Sequence, residues 1–212
     1  MQKNLILEEY INKLSSKEPT PGGGSAAALV SALSSSLTAM MLNLTVGKKR
    51  YEGYSDKLKK EVDDTLKDTL EFNEKFLAFM DEDEKSFLTL MDAFKLPKDT
   101  EEEKEIRKKE IDNGYEIALN TPLNLAREAL CYYENIFTAV KYGNPNLISD
   151  AGVASILLYS AIESSILNVK INLSGIEDEF KKEDIVNECN KILENALNYK
   201  IEIMEIVESK IK

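Results

Sequence analysis

The chain has 212 residues, 27 basic and 38 acidic, giving a formal net charge of −11 and no histidine. That balance argues against nucleic acid as a partner, because phosphate contacts need clustered Lys and Arg. The missing histidine rules out a Ser-His-Asp triad and leaves any metal site to carboxylates or thiols, so no metal is expected.

Hydrophobic residues make up 43% of the chain, enough for a core without staples. One domain over residues 1–212 is expected, in the reducing cytoplasm. Cys131 and Cys189 read as reduced packing residues, with a disulfide between them as the alternative. Met1 to Ile11 is amphipathic and acidic, unlike a secretory signal. Leu5, Ile6, Glu9, Tyr10 and Leu14 suggest a first helix, which Pro19-Thr20-Pro21-Gly22-Gly23-Gly24-Ser25 breaks. A second helix is expected from about Ser25 to Val46. It is long enough to span a bilayer, but Ser31, Ser34, Ser35, Ser36, Thr38 and Asn43 interrupt it. A buried, small-residue-rich soluble helix is the preferred reading, with no membrane segment.

Gly47 to Tyr54 reads as a basic turn. A long helix follows from Ser55 to Phe94, with a stripe of Leu58, Val62, Leu66, Leu70, Asn73, Phe76, Met80, Asp83, Phe87, Met91 and Phe94 at steps of three and four. Leu96-Pro97 closes it, and Asp99 or Thr100 caps the charged helical stretch Glu101 to Asp112. The pattern continues from Tyr115 to Tyr142, where Pro122 kinks the helix or starts a new one at Thr121. Gly143-Asn144-Pro145 ends it. Leu147 to Leu173 is apolar nearly all round, the mark of a central helix. A last amphipathic helix covers roughly Glu177 to Ile211. The fold class is all-α, a bundle of about six helices.

Some residues fit this pattern poorly. Asp83 shares a register with Phe76, Met80 and Phe87 on the face that should be buried. An unpaired buried carboxylate is costly, so Asp83 is paired, neutral or functional. Desolvation would raise its pKa and make it a better base near neutral pH. The plainer reading is a carboxylate bonded at a helix crossing. Gly22, Gly23 and Gly24 open onto a helix start, where bare amides can hold an anion or a carbonyl oxygen; the alternative is a flexible turn with Ser25 as N-cap. Lys48, Lys49 and Arg50 form a compact basic cluster, either an anion contact or a solvated helix end. Asp150, Glu163, Asn168 and Asn172 interrupt the most apolar helix. Asp150 with Ser149 is also read as a cap, and Asn168 as a bond to a neighbouring helix.

Taken together, the segments Pro19-Thr20-Pro21-Gly22-Gly23-Gly24-Ser25-Ala26-Ala27-Ala28 and Asn43-Leu44-Thr45-Val46-Gly47-Lys48-Lys49-Arg50-Tyr51 resemble the cyclodeaminase/cyclohydrolase family of folate enzymes. Asp83-Glu84-Lys85-Ser86-Phe87, Asn120-Thr121-Pro122-Leu123, Gly143-Asn144, Ser149-Asp150-Ala151-Gly152-Val153-Ala154 and Asn168-Val169-Lys170-Ile171-Asn172 extend the likeness in the family's order. It implies an all-helical fold, a homodimer or larger assembly, and a folate site near the glycines. It makes Asp83 the catalytic residue. Gly22, Gly23, Gly24, Ser25, Lys48, Lys49, Asp150, Asn168 and Asn172 become expected substrate-binding residues. The segment Arg107-Lys108-Lys109-Glu110-Ile111-Asp112-Asn113 departs from the Gln-containing stretch frequent in the family.

The activity this implies is hydrolysis of 5,10-methenyltetrahydrofolate to 10-formyltetrahydrofolate, with a tetrahydrofolate derivative as substrate and no separate cofactor. Asp83 would take the proton of the attacking water, and Lys48 and Lys49 would supply a positive field for the glutamate tail. One alternative is formimidoyltetrahydrofolate cyclodeaminase, which releases ammonia at the same site; the lack of a fused formimidoyltransferase part favours the hydrolase. The other alternative is a non-catalytic helical interaction protein.

Overall fold

The structure is a computed structural model that describes residues 1–211. Seven α-helices and three single 3-10 turns account for its regular elements: α1 (Leu7–Leu14), α2 (Gly23–Asn43), α3 (Lys49–Glu52), α4 (Asp56–Phe94), α5 (Glu101–Tyr142), α6 (Ile148–Asn172) and α7 (Glu179–Lys210). Six of these are the helices expected from periodicity, and the short α3 forms inside the basic turn.

Helices α2, α4, α5 and α6 close into a ring, each packed on its two neighbours, and α7 lies against α5 and α6. Cross-helix hydrogen bonds fix an antiparallel register around the ring. Asn73 of α4 donates to the Ala32 carbonyl at 2.9 Å and lies 2.8 Å from both Ser35 Oγ and Ser36 Oγ. Ser34 of α2 donates to the Ala154 carbonyl at 2.7 Å, and Tyr133 of α5 to the Ser155 carbonyl at 3.1 Å. Asn135 of α5 lies 3.1 Å from Thr69 Oγ1 of α4.

Ser25, Ser31, Ser34, Ser35 and Thr38 of α2 are buried without being stranded. Ser31, Ser36 and Thr38 donate to carbonyls one turn back, so small side chains let neighbouring helices approach while every hydroxyl is satisfied. A continuous cluster of buried side chains runs from Tyr10 to Val207, with Phe76, Tyr132, Tyr133, Met41, Leu119 and Ile162 among the most enclosed.

Several local expectations change. Ser25 is not the N-cap; Gly22 holds that position and Ser25 lies inside the first turn of α2. Thr100, not Asp99, caps α5, through a capping box with Glu103. Along α4, Thr69 takes the buried place and Leu70 is exposed. Cys131 is exposed, so only Cys189 packs in the interior, and both thiols are free.

Pro122 does not start a new helix: α5 runs unbroken through it for 42 residues. Proline has no N–H to give the carbonyl four residues earlier. That carbonyl is Ala118 O, and Asn172 Nδ2 of α6 donates to it at 2.7 Å. A side chain from the next helix thus replaces the missing backbone donor.

Helices α2 and α6 are long and apolar enough to cross a membrane by length and composition, yet half or more of each such window is buried against the rest of the chain. The large apolar residues that stay exposed are Leu33 and Met40 on α2, Leu44 just past its end, and Val153, Ile156, Leu167 and Ile171 on α6. α6 is apolar all round although only part of its circumference meets the core.

Candidate active site

The N-terminus of α2, the C-terminal half of α4, the middle of α5 and the C-terminus of α6 converge on a cleft of about 400 Å3. Asp83 and the glycine segment form its polar end, and Phe87, Met91, Phe94 and Tyr115 its apolar end. A larger groove of about 620 Å3 runs between α5 and α7. There Tyr199 donates to Glu134 at 2.9 Å.

Asp83 sits where α4 crosses the first turn of α2. Its Oδ2 accepts the Ser25 backbone N–H at 2.9 Å. This is one of the amides that a helix start leaves without an intrahelical acceptor, and the positive end of the helix dipole favours a carboxylate there. The approach requires glycine at position 24. A Cβ there would stand 2.6 Å from Asp83 Cγ and closer still to Oδ1. Gly23 differs, since its Cβ would meet only the Asn168 amide at 3.5 Å.

The Asp83 carboxyl is half-buried. Burial pushes its pKa above the ordinary 3.8, the Ser25 N–H pulls it back in part, and the neighbouring Glu84 pushes it up further. The result is a carboxylate that binds a proton more readily than a solvated one, next to open space.

Ser25 is held from behind. Its hydroxyl donates to Gln2 Oε1 and lies 3.1 Å from Tyr10 OH. Asp81 accepts the Gln2 backbone N–H at 2.5 Å. Thr20 donates to Glu84 at 3.2 Å, beside the cis Thr20–Pro21 peptide. The N-terminal segment thus anchors the first turn of α2 to the acidic turn of α4. Asn168 and Asn172 reach the same cleft from α6. Asn168 donates to the Ser164 carbonyl at 2.8 Å and covers Gly23.

The expected site residues fall into two groups. Gly22, Gly23, Gly24, Asp83, Asn168 and Asn172 line the cleft, and Ser25 lies directly beneath it. Lys48, Lys49 and Asp150 do not. α2 has 21 residues, which places its ends about 30 Å apart. Lys48 and Lys49 follow the far end, where Asn144 contacts the Leu44 carbonyl at 3.4 Å. Asp150 is in the first turn of α6, about 27 Å along the axis from Asn168, and makes no capping hydrogen bond. Within one chain these three residues lie at the opposite end of the bundle from Asp83.

The sequence reading passed over Gln2 and Tyr10, which position Ser25, and Tyr115, which meets Phe94 edge-on with ring centroids 6.1 Å apart. It placed Phe87, Met91 and Phe94 on a buried stripe, whereas they form the cleft wall.

The family whose sequence model matches residues 6–191 is described as formiminotransferase-cyclodeaminase. The chain is 35% identical over 215 aligned residues to a methenyltetrahydrofolate cyclohydrolase of Methylorubrum extorquens, covering 100% of both proteins. It is 28% identical over 204 residues to the formimidoyltransferase-cyclodeaminase of Gallus gallus, covering 96% of this chain and 37% of that protein. The fold matches the crystal structure of formiminotetrahydrofolate cyclodeaminase from Thermotoga maritima with a TM-score of 0.86 over 100% of both chains, at 24% identity. On the family match and the full-length relative, this chain belongs to the formiminotransferase-cyclodeaminase family.

Proposed function

We propose that the chain hydrolyses 5,10-methenyltetrahydrofolate to 10-formyltetrahydrofolate, with Asp83 as the catalytic base. The observation that carries this reading is the half-buried Asp83 carboxylate, fixed over Gly24 at the polar end of a cleft whose other end is aromatic. The full-length relative named for this activity supports it.

The substrate's bridging carbon is cationic. An ionised Asp83 stabilises that charge on binding and takes a proton from water as the oxygen attacks the carbon. The carbon–N5 bond then breaks. Protonated Asp83 returns its proton to N5, the new hydroxyl loses its proton to solvent, and the formyl group stays on N10. One water is consumed and one proton released. The reaction needs no redox partner and no group carrier, so no cofactor beyond the folate is proposed. Phe87, Met91, Phe94 and Tyr115 would cover the pterin or p-aminobenzoyl rings, and Asn168 and Asn172 offer amides to their polar edges.

The relatives named as cyclodeaminases support a second reaction at the same carboxylate. There N10 of 5-formimidoyltetrahydrofolate attacks the formimidoyl carbon, Asp83 moves the N10 proton to the leaving nitrogen, and ammonia departs. Two assays on the purified protein separate them. Loss of methenyl absorbance without ammonia release from the formimidoyl substrate supports the hydrolase; ammonia release with negligible hydrolysis refutes it.

A homodimer in the cytoplasm, without membrane insertion, completes the proposal. The exposed apolar residues of α2 and α6 lie on neighbouring helices, and Asn168 and Gly23 border both the cleft and the groove between the two helices. A second copy is the proposed cover for this face.

A further inference from the structure

Pro122 of α5 and Asn172 of α6 act on one carbonyl at the wall of the cleft. The proline gives no N–H to Ala118 O, and Asn172 Nδ2 donates there at 2.7 Å. Ala118 and Asn172 both line the cleft.

This bond settles which way the Asn172 amide faces. A backbone carbonyl oxygen only accepts, so the amide nitrogen must be the atom on Ala118, and Oδ1 is left as the free end. Among the described residues no group of the chain donates to that Oδ1, and it is not enclosed. An N–H at position 122 would draw the Ala118 carbonyl into the helical ladder and make the amide share its acceptor. Asn168 lies one turn back on α6, about 6 Å along the axis. It is oriented by the same rule, since its Nδ2 donates to the Ser164 carbonyl at 2.8 Å. The α6 wall therefore presents two carbonyl oxygens that lack donors.

We propose that Pro122 is a positioning residue for substrate binding. By freeing the Ala118 carbonyl it fixes the Asn172 amide, and Asn172 Oδ1 accepts a hydrogen bond from the 2-amino group of the reduced pterin. That group and the adjacent N3–H are the donor edge of the ring, and acceptor oxygens are what such an edge requires. The inference rests on the folate reading of the cleft and places the pyrimidine half of the pterin against α6. A proline inside a helix ordinarily weakens it; here it sets the polarity of a binding wall.

The test uses the full chain and two ligands of similar shape. Calorimetry compares tetrahydrofolate with its 2-deamino-2-methyl counterpart, which lacks the donor, and kinetics compares the 5,10-methenyl forms of both. The wild type is expected to favour the amino compound by about two- to tenfold, the range of one neutral hydrogen bond. In Pro122→Ala/Asn172→Leu, where the Ala118 carbonyl regains a backbone donor, that ratio should fall to about one. Pro122→Ala alone should raise KM by about two- to fivefold and change kcat by less than about twofold, while Tm holds or rises. A proline with a purely structural role would move Tm and leave KM alone. A wild-type ratio of one, or a ratio kept by the double variant, overturns the Asn172 contact. An unchanged KM in Pro122→Ala overturns the positioning role. Turnover without preference between the two ligands sinks this inference alone. Preference in calorimetry without turnover sinks the hydrolase reading and leaves the contact standing, and neither binding nor turnover sinks both.

Discussion

Gly24→Ala isolates the contact on which the chemistry depends. A methyl group at position 24 would stand 2.6 Å from Asp83 Cγ, well inside ordinary van der Waals contact, so the carboxylate must move by roughly 1 Å or more. The move stretches or breaks the 2.9 Å bond from Ser25 N–H to Oδ2. A charge-assisted bond of this kind contributes about 1.5–3 kcal/mol. Replacing glycine by alanine in a helix returns up to about 1 kcal/mol. Net destabilisation should therefore be only about 1–2 kcal/mol, a fall in Tm of about 2–8 °C for a chain of this size. Catalysis should suffer far more, since a misplacement of about 1 Å costs on the order of 100-fold. Gly23→Ala is the matched control. Its Cβ meets the Asn168 amide at an ordinary 3.5 Å, so Tm should hold or rise and kcat should fall by less than about threefold, against the ~100-fold of a displaced base. Steady-state hydrolysis by the methenyl absorbance, with a thermal melt on each sample, reads both quantities. Wild-type kcat in Gly24→Ala would refute the claim that the Asp83–Gly24 contact sets the catalytic geometry.

Asp83→Asn should lower kcat by about 10²–10⁴-fold with the fold intact, the usual contribution of a general base; turnover near the wild-type rate would remove Asp83 from the mechanism. In the wild type, kcat/KM should fall as acid protonates Asp83, with the midpoint above the ordinary 3.8 because burial raises that pKa; a midpoint at or below 3.8 contradicts this. Because the folded pKa is raised, the stability linked to this group is complete below pH 3.8 and is lost as pH climbs through the folded value. The Tm of Asp83→Asn relative to wild type should accordingly improve from acid toward neutral pH, and a difference that is flat with pH would argue against burial as the cause. Asn172→Leu leaves the Ala118 carbonyl without its donor and should cost about 1–3 kcal/mol in urea unfolding; the same change combined with Pro122→Ala, which restores an N–H to that carbonyl, should recover much of the loss. Paired Leu33→Glu and Ile156→Glu should yield a monomer by light scattering if the α2–α6 face joins two copies, and an unchanged dimer would relocate the interface.

The helices were legible because their apolar spacing is long and their breakers are strong. Thr100 with Glu103 and the Gly143–Pro145 break fall where capping and proline rules put them. Asp83 was legible for a different reason: a carboxylate in register with Phe76 and Met80 contradicts its own stripe. The same periodicity hid the cleft. Phe87 and Met91 have the spacing of core residues, and one-dimensional pattern does not distinguish a side chain that meets another helix from one that meets open space. Of the three glycines that border the cleft, only Gly22 faces open space; Asp83 fills the place over Gly24 and Asn168 that over Gly23. Lys48, Lys49 and Asp150 lie, within one chain, at the opposite end of the bundle from Asp83. They belong to motifs that resemble the glycine segment's family, but a 21-residue helix separates the motifs in space. The unbroken α5 was illegible because the donor that rescues Ala118 is 54 residues away.

Asn73 has a consequence for how the chain tolerates change. Its amide reaches Ala32, Ser35 and Ser36, locking the phase of α4 against α2 ten positions before the carboxylate. Adding one residue between 73 and 83 would turn Asp83 by about 100° and advance it about 1.5 Å, pointing it away from the cleft while leaving both helices whole. Length changes in the 95–100 connection lie downstream of that lock and would leave the carboxylate where it is. Natural variation in length should therefore collect in that connection and be absent from the ten-residue interval.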